Sequence, residues 1–293
     1  MGGGLSVLRN LTQADIRPDP YPHIVVENCL PPELYGALER SYPDDDTILR
    51  LSGAKDKHVI RQNHRFDLRA RDVLRNPGAV SRAWEDFVAR HVSHDFFCEF
   101  VALFGPDIRA IHPGLESRLG ARLEDFTTGI RFDKEWDTGQ VALDCQIGID
   151  TPVTRMSSSR GVHTDAPDEL FALLLYFPRP GDATPGGDLE ICRWRPGVPH
   201  LFVGRDLDSR DTERVMTVPY RPNTLVAFVN SEVALHAVTP RAVSLCSRRL
   251  VNIVGRVQRS IPEGLFVKRQ KKGLRAAAGR LAEKIADRTG RRY

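Results

Sequence analysis

The sequence predicts an α+β protein in which a helical N-terminal part precedes an all-β sandwich or barrel. Up to about residue 128, apolar side chains recur mainly at helical spacing, with one or two strand-like runs among them. From about Gly129 the chain becomes a series of short β-branched or alternating runs separated by Pro, Gly and Asp, the pattern of a sandwich or barrel. A composition of 41% hydrophobic and 27% charged residues is that of an ordinary globular chain. No run approaches the roughly 18 apolar residues that a membrane-spanning helix needs.

In order, residues 21–30 read as a strand, with Ile24, Val25 and Val26 at its centre. Pro31 and Pro32 then suit the first turn of a helix carried by Leu34, Leu38 and Tyr42. Residues 79–90 form a second helical pattern that continues, after a break, into a Phe-rich stretch at 96–104, and 115–125 is a further helix candidate. The polar run 61–69 between the first two patterns reads as an exposed loop that could also border a substrate mouth. Candidate strands follow at 141–149, 170–177, 188–194, 214–219, 224–230, 236–238 and 250–257, with an obvious Pro/Gly loop at 178–187.

Residues 1–265 are therefore expected to form one domain, helical over about 1–128 and β over about 129–260, followed by a basic tail, 266–293. The net charge is +4, but from Lys268 to Tyr293 ten basic side chains stand against only Glu283 and Asp287, a local +8. The tail reads as an Ala-rich basic helix with Leu274, Leu281 and Ile285 on its thin apolar side. It is nearly devoid of aromatic residues and matches no base-reading motif, so no nucleic-acid partner is expected. The start of the chain lacks a charged n-region and an apolar h-region, and the expected location is the cytoplasm. Five widely spaced cysteines, an odd number without a C-x-x-C pair, fit reduced thiols.

One constellation carries chemistry. His163 and Asp165 stand two apart just before an apolar strand, and on an extended chain such residues face the same side and can reach one ion. His236, at the start of a later strand, supplies a third ligand brought in by folding. Two imidazoles and one carboxylate leave positions open for dioxygen and an oxidisable co-substrate on iron(II). His91 and His94 stand three apart on a candidate helix, where a solvated or capped helix end accounts for them. The other histidines lack a carboxylate partner at metal-like spacing.

This half of the chain, roughly 129–257, resembles the double-stranded β-helix (jelly-roll, cupin-like) domain of the iron(II)/2-oxoglutarate dioxygenases, in their prolyl 4-hydroxylase-like branch. The family's H-x-D, distant H and later basic residue are filled in order by His163, Asp165, His236 and Arg248 or Arg249. The strand opening at Gly186 and Gly187, and residues 222–230 leading to His236, match the family's context. The resemblance implies Fe(II), 2-oxoglutarate and O2 as cofactor and co-substrates, with ascorbate as a supporting reductant. It implies hydroxylation of an unactivated C–H bond of a small-molecule, saccharide or peptidyl substrate, with release of succinate and CO2.

One arginine would pair with the distal carboxylate of 2-oxoglutarate, because a planar guanidinium fork matches a carboxylate. Spacing from His236 favours Arg248, and parity places it with Asn252 and Arg256 while Arg249 shares a face with Val251 and Ile253. Gln146 occupies a place where relatives line the co-substrate pocket, although no tyrosine is present there. A cupin-type metalloenzyme that does without 2-oxoglutarate, or a non-catalytic binding module on the same barrel, are the competing classes. Asp165 argues against a halogenase, in which a small residue replaces the carboxylate.

Overall fold

The computed structural model describes residues 6–53, 62–135, 138–202, 206–257 and 260–269. It is mixed α+β. Six helices, α1 Pro32–Arg40, α2 Asp45–Leu51, α3 Ala70–Leu74, α4 Arg82–His91, α5 His94–Ile111 and α6 Leu115–Leu119, lie among the described residues before the main run of strands. Three of them start at side-chain caps that satisfy otherwise orphaned backbone amides: Asp44 accepts from Thr47 N–H, Ser81 from Trp84 N–H and Ser93 from Phe96 N–H. Among the described residues there are ten strands: β1 His23–Val26, β2 Arg65–Leu68, β3 Thr128–Ile130, β4 Val141–Asp150, β5 Glu169–Tyr176, β6 Leu189–Trp194, β7 Thr212–Val218, β8 Leu225–Val229, β9 Leu235–Val238 and β10 Arg248–Arg256.

They form two sheets. The larger runs β1-β8-β5-β10-β4-β2, with β3 added parallel to β4, and the smaller runs β7-β6-β9. Strand alternation divides the large sheet into two faces with different tasks. Leu143, Cys145, Ile147 and Ile149 of β4, with Val251 and Ile253 of β10, share the main core with Trp84, Phe87, Phe96 and Phe100 of α4 and α5. Phe171 of β5 stacks on Phe100 with ring centroids 4.0 Å apart. The opposite face carries Ala172, Tyr176, Val226, Phe228, Leu250 and Val254, which form a second core with Leu189, Ile191 and Val218 of the small sheet. The small sheet thus packs over β8 and β5, whereas the same face of β4 carries Asp144, Gln146 and Asp150, and that of β10 sets Arg248, Asn252 and Arg256 around Leu250 and Val254.

The seven strands expected from residue 141 onward are all present, within a few residues at each end. The polar run 61–69 is not simply a loop. Arg65–Leu68 is an edge strand, antiparallel to β4, because Phe66 and Leu68 alternate with Arg65 and Asp67. The 115–125 candidate is split into α6 and a 3-10 turn at Leu123–Asp125 by Gly120, which takes a left-handed conformation (φ 69°). His91 closes α4 and His94 opens α5 behind the Ser93 cap, so both stand at helix ends, but that of His91 is not solvated. His91 is buried, its Nδ1 lies 2.7 Å from Phe87 O, and its Nε2 accepts from Val7 N–H. All five cysteines are free thiols, Cys98 exposed and Cys145 and Cys192 buried. Among the described residues no helix is long and apolar enough to cross a membrane. Leu274, Leu281 and Ile285 of the expected tail helix lie outside the described residues, and Phe266, Val267, Lys268 and Arg269 are described without helical structure.

Candidate metal centre

His236 lies on β9, the edge of the small sheet, opposite Ile191 of β6. Its free edge is taken by His163: His163 N–H donates to His236 O and His236 N–H donates to His163 O, both at 2.9 Å. This reciprocal pair sets the two residues directly opposite each other, so their side chains leave the same face together. The ring centroids are 4.3 Å apart. Asp165, two residues beyond His163, returns to that face, its Oδ1 3.8 Å from His163 Nε2 and 3.6 Å from His236 Nε2. One donor atom from each of the three side chains lies within 4.8 Å of the others, the single such group of His, Cys, Asp or Glu found among the described residues.

The imidazoles are oriented from behind. Nδ1 of His163 lies 2.8 Å from Gly161 O, and Nδ1 of His236 lies 3.1 Å from Ala234 O. A carbonyl only accepts, so each Nδ1 carries the proton and each Nε2 lone pair is left for an ion. Burial and the neighbouring His236 push the His163 pKa down, keeping it in the neutral, ligating form. Burial alone would raise Asp165, but His236, His163 and the Lys268 ammonium outweigh it and hold the carboxyl well below the usual range. Phe228 packs against His236 at 5.0 Å. The two separations from Asp165 Oδ1, 3.8 and 3.6 Å, lie within the about 4.2 Å that two ligands each about 2.1 Å from one divalent ion can span.

The three residues line a cavity of about 570 Å³ between the two sheets. Its floor is a charged row across the large sheet. Arg65 of β2 and Arg248 of β10 are both register partners of Asp150 of β4. Arg248 Nη1 is 3.1 Å from Asp150 Oδ2, Arg65 Nη1 is 3.7 Å from Asp150 Oδ1, and Arg65 Nε donates to Asp67 Oδ1 at 2.6 Å. Arg248 is 3% exposed, also donates from Nε to Gly187 O at 2.9 Å, and lies over the Tyr220 and Tyr176 rings at 4.5 and 5.1 Å. Two glycines make room for this row: a Cβ on Gly148 would stand 2.5 Å from Asp67 Oδ1, and one on Gly187 would stand 3.1 Å from Arg248 Cδ.

Of the residues singled out by sequence, the structure brings His163, Asp165, His236 and Arg248 to one cavity. Arg249 is turned to the other face of the sheet, where its guanidinium lies 4.8 Å over the Tyr42 ring. Burial and the neighbouring Arg179 push its pKa down. Gln146 has the cavity-side parity but is buried and spent on its neighbours: its Nε2 donates to Asp144 Oδ2 and its Oε1 accepts from Nδ2 of its register partner Asn252, which lines the cavity. Arg65 and Asp67, from the run 61–69 that could border a substrate mouth, line the cavity, as do Asp150 and Lys268, which sequence reasoning did not single out. The alternation Arg65-Phe-Asp67-Leu was the available signal for the first two.

No family model matches the chain, and no curated protein matches it. Solved structures do. The chain is similar to prolyl 4-hydroxylases. One from Phytophthora capsici is 15% identical, with 96% of this chain and 72% of that chain covered and a TM-score of 0.44. One from Pseudomonas putida is 16% identical, with 80% and 91% covered and a TM-score of 0.39. The rice dioxygenase for auxin oxidation is 14% identical, with 92% and 86% covered and a TM-score of 0.42.

Proposed function

We propose that the chain is an iron(II)- and 2-oxoglutarate-dependent oxygenase that hydroxylates an unactivated C–H bond and releases succinate and CO2. The observation that carries this reading is the set of two Nε2-presenting imidazoles and one carboxylate, within 4.8 Å of one another, facing a cavity with a buried guanidinium on its floor. The two sheets, closed over one another with this cavity between them, are read as the double-stranded β-helix.

In this reading His163, Asp165 and His236 hold the iron from one side. When bound, iron with 2-oxoglutarate and dioxygen supplies the oxidising chemistry. The chain supplies orientation. Arg248, fixed by Asp150, Gly187 O and two tyrosine rings, presents its remaining N–H groups to the distal carboxylate of the keto acid. Ala172, Leu174, Leu189 and Phe228 line the apolar part of the cavity and limit water around the reacting centre. The substrate is a small molecule, saccharide or peptidyl group presented at the cavity mouth.

One observation favours a second reading. Arg248 already has a carboxylate partner in Asp150, as a cupin-type metalloenzyme without 2-oxoglutarate would allow. Titrating 2-oxoglutarate into Mn(II)-loaded protein and measuring succinate from the Fe(II)-loaded protein in air decides between them. The oxygenase reading expects both signals, each lost in His236→Ala. Metal binding with neither signal assigns the chain to the second class.

A further inference from the structure

The geometry points to Lys268 as the residue that receives an anionic group, a carboxylate or phosphate, on the substrate, and hence to an acidic small molecule as the substrate class. This rests on the oxygenase reading above. The chain after the last strand returns across the site: Leu265 N–H donates to Pro167 O at 2.7 Å, and Phe202 N–H donates to Arg269 O at 2.8 Å. Between these two ties Val267 is 73% exposed while the Lys268 side chain turns inward and is half-buried. Its Nζ donates to Thr164 O at 2.9 Å and lies 5.4 Å from the Phe202 ring centroid. Thr164 is the residue between the ligands His163 and Asp165, so the ammonium stands beside the metal centre and lines the same cavity.

The charge pattern of the cavity sets Lys268 apart. Arg65 is paired with Asp67, Arg160 with Asp206, Arg248 with Asp150 and Arg256 with Asp168. Among the described residues no carboxylate forms such a pair, at 4.0 Å or less, with Lys268 Nζ. The carboxylate that acts on it is that of Asp165, which a bound metal would engage. An ammonium has three N–H donors, and a single backbone carbonyl uses one. Burying a cation part-way without a counter-ion is unfavourable, and an incoming oxyanion relieves that cost while forming charge-assisted hydrogen bonds. An acidic group held there is bound in the same cavity as His163, Asp165 and His236.

The test uses the full chain loaded with Mn(II) and saturated with 2-oxoglutarate, and reads paramagnetic broadening of added probes by proton NMR. The probes are N-acetylvaline and its neutral amide, and glycerol 3-phosphate and glycerol, so the two arms separate carboxylate from phosphate. Wild type is expected to broaden at least one anion at concentrations where its neutral counterpart is unaffected. Lys268→Met should weaken that anion about tenfold, Lys268→Arg should retain it and Lys268→Glu should abolish it, with broadening of 2-oxoglutarate unchanged throughout. The proposal is overturned if anion and neutral counterpart behave alike in wild type, if Lys268→Met keeps the selectivity, or if Lys268→Met instead loses 2-oxoglutarate. Absence of Mn(II)-dependent broadening of 2-oxoglutarate in wild type marks failure of the oxygenase reading itself, and this inference falls with it.

Discussion

Replacing Arg248 and Arg249 separately by Met separates two adjacent arginines that the sheet sends to opposite faces. Removing Arg248 leaves Asp150, 1% exposed, without its 3.1 Å partner. Breaking a buried ion pair in this way costs about 3 to 5 kcal/mol, and Arg65, 3.7 Å from the other oxygen of Asp150, places the expected cost at the lower end, about 3 kcal/mol. Arg249 gives up mainly its contact with the Tyr42 ring, worth about 1 kcal/mol. Urea unfolding of the metal-free proteins measures both values. The functional contrast should be sharper, since loss of hydrogen bonds to a charged partner at about 1.5 to 3 kcal/mol weakens 2-oxoglutarate binding at least tenfold in Arg248→Met. Arg249→Met should stay within about threefold of wild type. Calorimetric titration of the Mn(II)-loaded proteins reads this directly. Equal losses in the two variants, or an unchanged Arg248→Met, would refute the assignment of the cavity floor to Arg248.

Three further outcomes follow from the same geometry. Divalent metal at about 100 times its dissociation constant should stabilise the fold by about 2.7 kcal/mol, seen as a melting-temperature rise of roughly 5 °C or more that chelator reverses and His236→Ala removes. A Cβ on Gly255 would stand 2.4 Å from the Phe171 ring, which is stacked on Phe100 and cannot yield, so Gly255→Ala should cost about 1 to 3 kcal/mol in urea while leaving metal affinity intact. Burial lowers His91 to about 3, so the unfolded chain binds a proton that the folded chain refuses once pH falls below the ordinary value of about 6.5. Stability from this group is complete above that pH and drops by roughly 2 kcal/mol at pH 5. The pH slope of urea midpoints should therefore flatten in His91→Gln, and an identical slope would contradict it.

Sequence pattern was most informative where one physical rule acted alone. The strands from Val141 to Arg256 declare themselves through β-branched and alternating residues, because each buries one or both faces. The same alternation already separated Arg248 from Arg249. Arg65–Leu68 was hidden because a four-residue edge strand that turns Arg65 and Asp67 to a polar cavity looks like a loop when its partner strand is unknown. Asp45–Leu51 was missed although Asp44 is a sound cap, since seven residues carry too short a period to stand out. Gln146 has the right parity but is tied to Asp144 and to its register partner Asn252, and parity says nothing of such neighbours. Lys268 could not be distinguished by composition from the other basic residues of the tail. Only the backbone ties at Leu265 and Arg269 bring it to the site.

The carbonyls of Gly161 and Ala234 that grip the two rings belong to the same short segments as the rings themselves. The posture of the two rings is thus written into the local backbone, and an ion bound as proposed would meet a seat already shaped, with little freezing of loose side chains required. Such a seat favours rapid loading and discriminates weakly among divalent ions of similar radius. Which metal occupies it in the cell would then be governed by supply as much as by the seat.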